Sequence, residues 1–151
     1  MLFGKKSLIA PLLLCIMLAS PRSAKAEAVF QPERDSPIRA QLLDAVRPLF
    51  EKETNGPIMM VVRRLNLWSD WAFGDVHLQR PRGRQVDWRK TKYADDFAGG
   101  MFDPAGSFFL LRRTRSKWKV IEFSTGPTDV VWDGWRIDHH LPNQLFERPK
   151  R

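Results

Sequence analysis

The sequence predicts an α+β domain: one long N-terminal helix, then four antiparallel strands, with a long loop between the second and third strands. Helical spacing of apolar residues after residue 36, strand-like segments over 58–79 and 108–125, and short turns within each pair of strands lead to this reading. Length agrees, because 151 residues less an N-terminal leader suffice for one core.

The helix begins where Ser36 offers an N-cap hydroxyl and Pro37 takes the first helical position, at which a missing N–H costs nothing. Ile38, Leu42, Ala45, Val46, Leu49 and Phe50 then form one apolar stripe. Pro48 opposes the carbonyl of Asp44, so a kink or break is expected there, and Asn55-Gly56 ends the segment. The first strand, 58–68, opens on five consecutive apolar residues and is expected to be covered on both faces. After a turn at Ser69-Asp70, the second strand, 71–79, puts Trp71, Phe73, Asp75, His77 and Gln79 on one side. Ala72, Gly74, Val76 and Leu78 fall on the other. Residues 108–113 and 118–125 are the third and fourth strands, joined as a hairpin by 114–117. The loop 80–107 is too long for a plain hairpin, and 91–98 within it is expected to form a short helix that Gly99-Gly100 ends. From Gly126 onward the chain is aromatic without alternation, and is expected to wrap across the sheet or cover an edge.

The first 26 residues have the marks of an export signal. Lys5 and Lys6 precede an apolar run over 8–19, and Ala24 and Ala26 flank a cleavage site after Ala26. That run is shorter than the roughly 20 residues of a spanning helix. Residues 1–26 are therefore read as a Sec-type signal peptide and 27–151 as one periplasmic or secreted domain, which meets the membrane only through the cleaved signal. Cys15, the chain's single Cys, lies in the leader behind Leu14, which is not the small residue a lipidated Cys needs. The exported domain then has no thiol for a disulfide, a zinc site or a nucleophile, and no cofactor or metal motif is expected. Lys5, Lys6, Arg22 and Lys25 also leave, so half of the net charge of +8 belongs to targeting.

One helix followed by strands, with 118–123 closing a final hairpin, resembles the cystatin-like or NTF2-like fold, in which a curved antiparallel sheet wraps a long helix. The resemblance covers roughly residues 36–125. Trp71-Ala72-Phe73, the Trp118 hairpin and the run Gly126-Pro127-Thr128-Asp129-Val130 with Trp132 and Trp135 are similar to a family of small exported proteobacterial proteins of unknown function. NTF2-like domains include isomerases, dehydratases and plain binding modules, so the resemblance implies a fold and no catalytic residue.

The first candidate site is the basic loop. Arg80, Arg82, Arg84, Arg89, Lys90 and Lys92 place six cations in thirteen residues, interleaved with Trp88 and Tyr93. Guanidinium forks match phosphate and carboxylate, and aromatic faces stack on sugars or bases. Asp87, Asp95 and Asp96 lie close enough in sequence to cancel part of that field. Trp132 and Trp135, outside the sheet, either plug its open face or form a contact hot spot. Asp129, Asp133, Asp138, His139 and His140 supply acid–base and ligand residue types at a spacing that matches no established motif. His77 with Asp75 on the same strand side is the one candidate catalytic pair.

The sequence favours an exported, non-enzymatic binding protein of the bacterial envelope or secreted fraction. Its partner would be an anionic glycan, a lipid head group or a protein, engaged through the basic aromatic loop or the face near Trp132 and Trp135; nucleic acid is not expected. Three alternatives stand beside it: a small hydrolase or isomerase with an NTF2-like pocket at His77 and Asp75, a secreted virulence effector acting in a host cell, and a homodimer burying both apolar sheet faces.

Overall fold

The computed structural model describes residues 28–148. Helix α1 (Pro37–Glu53) leads into β1 (Met59–Trp68) and β2 (Trp71–Gln79), then a short α2 (Ala94–Ala98), β3 (Ser107–Thr114), β4 (Lys117–Thr125) and α3 (Val131–Asp138). The strands form one antiparallel sheet in the order of the sequence. The described residues are thus α+β, with a four-stranded sheet and three α-helices. Among the described residues no helix is long and apolar enough to cross a membrane.

Ser36 caps α1, its hydroxyl accepting the Arg39 N–H at 3.4 Å, with Pro37 in the first turn. Leu42, Val46 and Phe50, four residues apart, are fully buried against the sheet. α1 runs through Pro48 without the expected break. Pro48 is exposed, and the buried side chains at 46 and 50 hold the helix across the lost hydrogen bond. At the C-terminal end the Thr54 hydroxyl donates to Phe50 O at 2.9 Å, satisfying one of the carbonyls a helix end leaves open.

Two-residue turns at Ser69-Asp70 and Arg115-Ser116 make the hairpins, with Trp68 paired to Trp71 and Thr114 to Lys117. Ser69 and Arg115 take positive φ angles of 52° and 59°. The alternation in β2 sorts as the sequence indicates: Ala72, Val76 and Leu78 pack beneath α1, while Phe73 joins a second cluster on the far face. Gly74 has no substitute, since a Cβ there would stand 2.0 Å from the Phe109 ring.

The far face is covered from within the chain. Leu141, Leu145 and Phe146, with half-buried Trp132 and Trp135, pack on Phe73, Phe108 and Leu110. β1 fastens this cover with two buried polar residues. Arg64 donates to Phe146 O, its guanidinium lying 5.0 Å from the Phe73 ring centre and 5.6 Å from that of Trp132. Asn66 Nδ2 donates to Leu145 O and Glu147 O, both at 2.8 Å. Left unpaired, such buried groups would cost about 1–3 kcal/mol each, so cover and strand satisfy one another.

Candidate functional site

The insertion between β2 and β3 is pinned from the inside. Arg80 N–H bonds Arg84 O at 2.7 Å, closing a tight loop in which Arg82 has a φ of 64°. The Arg80 guanidinium turns inward, donating to Thr54 O and to Pro57 O, the latter at 3.1 Å. Arg80 is therefore a strut tying β2 to the end of α1. Asn55 Nδ2 adds a second tie, donating to Lys90 O at 2.9 Å.

Behind these ties lies an aromatic wedge. Trp88, expected from sequence to offer an outward stacking face, is only 5% exposed, its ring 4.6 Å from Phe102 and 6.2 Å from Tyr93. Val86, Trp88 and Phe102 belong to the same core cluster as Leu42, Val46 and Phe50. Burial wins because a Trp side chain removes 150–250 Å² of largely apolar surface from water. Gly126, with a φ of 68°, makes room for Phe102, whose ring lies 2.0 Å from where a Cβ would sit.

Tyr93 and Lys92 are also committed. Glu53, buried at the end of α1, receives the Tyr93 hydroxyl and holds Lys92 Nζ at 2.8 Å. A carboxylate at the negative end of a helix dipole needs a cation close by, and Lys92 supplies it. Burial, then the bond to Glu53, raises the Tyr93 pKa above its ordinary value. The hydrogen bond with Glu53 is the largest cause raising that of the Lys92 ammonium.

Four cations of the insertion face outward: Arg82, Arg84, Arg89 and Lys90 are exposed. Lys90 makes a solvent-exposed pair with Asp87 at 3.5 Å, and the Arg89 guanidinium lies 5.3 Å from the Phe97 ring centre. Among the described residues no carboxylate lies within ion-pair distance of Arg82, Arg84 or Arg89, and Asp95 and Asp96 on α2 make no ion pair. Between the insertion and the end of α1 runs an open groove of about 490 Å³ that Asn55, Arg84, Gln85, Asp87 and Lys90 help to line. It can receive an anionic group against the exposed cations Arg84 and Lys90 and the Gln85 amide, with the Asp87 carboxylate setting a limit on its charge.

The other candidates separate. Asp75 is 4% exposed; Arg63 Nε approaches Oδ1 at 2.8 Å and an Arg64 terminal nitrogen approaches Oδ2 at 3.3 Å. His77 makes no hydrogen bond with Asp75, and its buried Nδ1 has no partner among the described residues. The two residues therefore share a strand side without forming an acid–base dyad. Trp132 packs on Phe108 at 4.4 Å and Trp135 joins the same cluster, both serving the cover of the far face. His139 Nε2 lies 3.1 Å from Glu122 Oε1 and its ring 5.2 Å from that of Trp71; His140, Asp129, Asp133 and Asp138 are exposed. Among the described residues no group of three or more His, Cys, Asp or Glu is placed to hold a metal ion.

A second basic region accompanies the first. Arg112, Arg113, Arg115, Lys117 and Lys119 put five cations in eight residues at the β3–β4 hairpin, at the other end of the sheet, where Asp70 pairs with Arg113 at 2.8 Å. The run is visible in the sequence, but a tight hairpin accounts for its polarity and draws attention from its charge. The chain matches no protein-family model, no curated protein and no solved structure.

Proposed function

We propose that this chain is an exported binding protein that engages an anionic ligand or partner of the bacterial envelope through the outer rim of its insertion. One observation carries the reading: a buried aromatic wedge fixes the loop, Arg84 and Lys90 line a groove, and exposed Arg82 and Arg89 stand on the same insertion, with Asp87–Lys90 the one ion pair these four cations make among the described residues. Cations on a fixed frame lose less freedom on binding than cations on a loose one. The paired lysines, apolar run and small residues of the N-terminal 26 support export. The packing of α1 against a sheet in simple meander order supports the cystatin-like or NTF2-like assignment.

Trp88 is buried and half-buried Tyr93 bonds Glu53, both holding the loop in place, which favours recognition by charge and hydrogen bonding. The test is capture from envelope extract by the wild-type chain and by a variant carrying Arg82→Glu, Arg84→Glu and Arg89→Glu. Loss of the captured species in the variant is expected; an unchanged profile sinks the proposal.

A further inference from the structure

We infer that a small pocket at the N-terminal end of α1, lined by Arg34, Arg39, Arg63 and Arg64, binds a tetrahedral oxyanion of the phosphate class, free or as the end group of a larger molecule. The pocket holds about 210 Å³, with Gln31, Pro32, Val62 and Leu65 completing its wall. A single water needs only about 10–15 Å³ of such space, so the pocket is ample for a phosphate group. Among the described residues no acidic residue lines it.

The charge balance is what makes the pocket unusual. The nearest buried carboxylate, Asp75, is occupied on both oxygens, by Arg63 on Oδ1 and Arg64 on Oδ2. Arg34 and Arg39 form no ion pair among the described residues. Arg39 also sits in the first turn of α1, which contains no acidic residue, so it adds positive charge where the helix dipole is already positive. Such crowding of like charges is unfavourable without a counter-ion. Burial and then Arg34 lower the Arg39 pKa, with exposed Asp35 as the opposing influence. Arg64 is 8% exposed, and its buried Nε has no hydrogen-bond partner among the described residues.

The donor inventory selects the ligand. Each guanidinium carries five N–H groups in a planar fork. Asp75 takes three nitrogens from Arg63 and Arg64, leaving Arg34 and Arg39 as the open forks. A carboxylate offers two oxygens to this array, whereas a phosphate offers three or four and a second negative charge. Arg forks pair with phosphate oxygens two at a time, which fixes orientation as well as charge. This site is separate from the groove at the insertion and does not depend on the role proposed there.

Calorimetric titration of the full chain at fixed ionic strength tests the inference, with inorganic phosphate, phenyl phosphate and acetate as probes. Saturable binding of phosphate or phenyl phosphate is expected, with acetate much weaker. A preference for the ester identifies an end group of a larger molecule, and a preference for inorganic phosphate identifies the free ion. Arg39→Gln and the exposed Arg34→Gln should each weaken it about tenfold, while Arg84→Glu at the insertion leaves it within about twofold. Absence of saturable binding by either phosphate probe overturns the inference. So does acetate binding as tightly, or a loss that follows Arg84→Glu in place of the Arg34 and Arg39 variants.

Discussion

The insertion and the β3–β4 hairpin are built from nearly the same residue types and end in opposite conditions. Each is a short cation-rich stretch interrupted by Trp: Trp88 in the insertion, Trp118 in the hairpin. In the insertion the Trp is 5% exposed and two cations, Arg80 and Lys92, are spent on the end of α1. In the hairpin no residue from 112 to 119 is buried, Trp118 is half-buried, and Arg113 lies 5.6 Å from its ring centre. Composition therefore does not say how a basic stretch is used. A buried anchor does, because it fixes where the remaining cations stand.

The largest consequence concerns the two tryptophans. Trp88→Ala should remove about 3–5 kcal/mol of stability in urea unfolding, the usual cost of deleting a buried aromatic. Trp118→Ala, at a half-exposed position, should cost clearly less; equal losses would erase the distinction between anchored and unanchored regions. Next come the arginines. Arg80→Ala strips donors from Thr54 O and Pro57 O and should cost about 1–3 kcal/mol, whereas Arg115→Ala on the exposed turn should stay within about 0.5 kcal/mol.

The smallest effect sharpens the insertion's side of the comparison. Tyr93 is the chain's one Tyr, so phenolate absorbance reads it alone. Its folded pKa is raised by burial and then by Glu53, and that of Lys92 is raised by Glu53. A raised folded pKa contributes stability that is whole below the unfolded value and lost as pH climbs through the folded one. The phenolate transition should lie at higher pH in the folded chain than in urea, and stability should fall over that alkaline interval. Glu53→Gln should narrow the gap without closing it, since burial is the larger cause.

Much of the fold is legible in the sequence because it rests on local patterns. Ser36-Pro37, the alternation in 71–79 and the Ser69-Asp70 turn each carry their own signal and reappear, while the second hairpin, read as joined by 114–117, turns on Arg115-Ser116 alone because Thr114 and Lys117 pair. Pro48 failed to break α1 because Val46 and Phe50 are held by contacts with the sheet, which no local rule contains. The short helix came out as Ala94–Ala98, with Thr91 instead bonding Trp88 O at 2.8 Å. The fate of Trp88 was hidden because an irregular loop has no period to mark its inner side. The cover's fastening was hidden too, since Arg64 and Asn66 read as ordinary polar strand positions until carbonyls some 80 residues further along meet them. Arg34 and Arg39 meet Arg63 and Arg64 only through the packing of the lead and α1 beside β1.

The central claim is that the anchored cations of the insertion, and not basic charge in general, form the binding surface. Its most direct measurement is the affinity of an acidic glycan probe, a heparin hexasaccharide, for two charge-reversed variants of equal net charge. One carries Arg82→Glu, Arg84→Glu and Arg89→Glu; the other carries Arg115→Glu, Lys117→Glu and Lys119→Glu. The account predicts a loss of about tenfold or more in the first and a change under about threefold in the second. Equal losses in the two, or a larger loss in the hairpin variant, would contradict it.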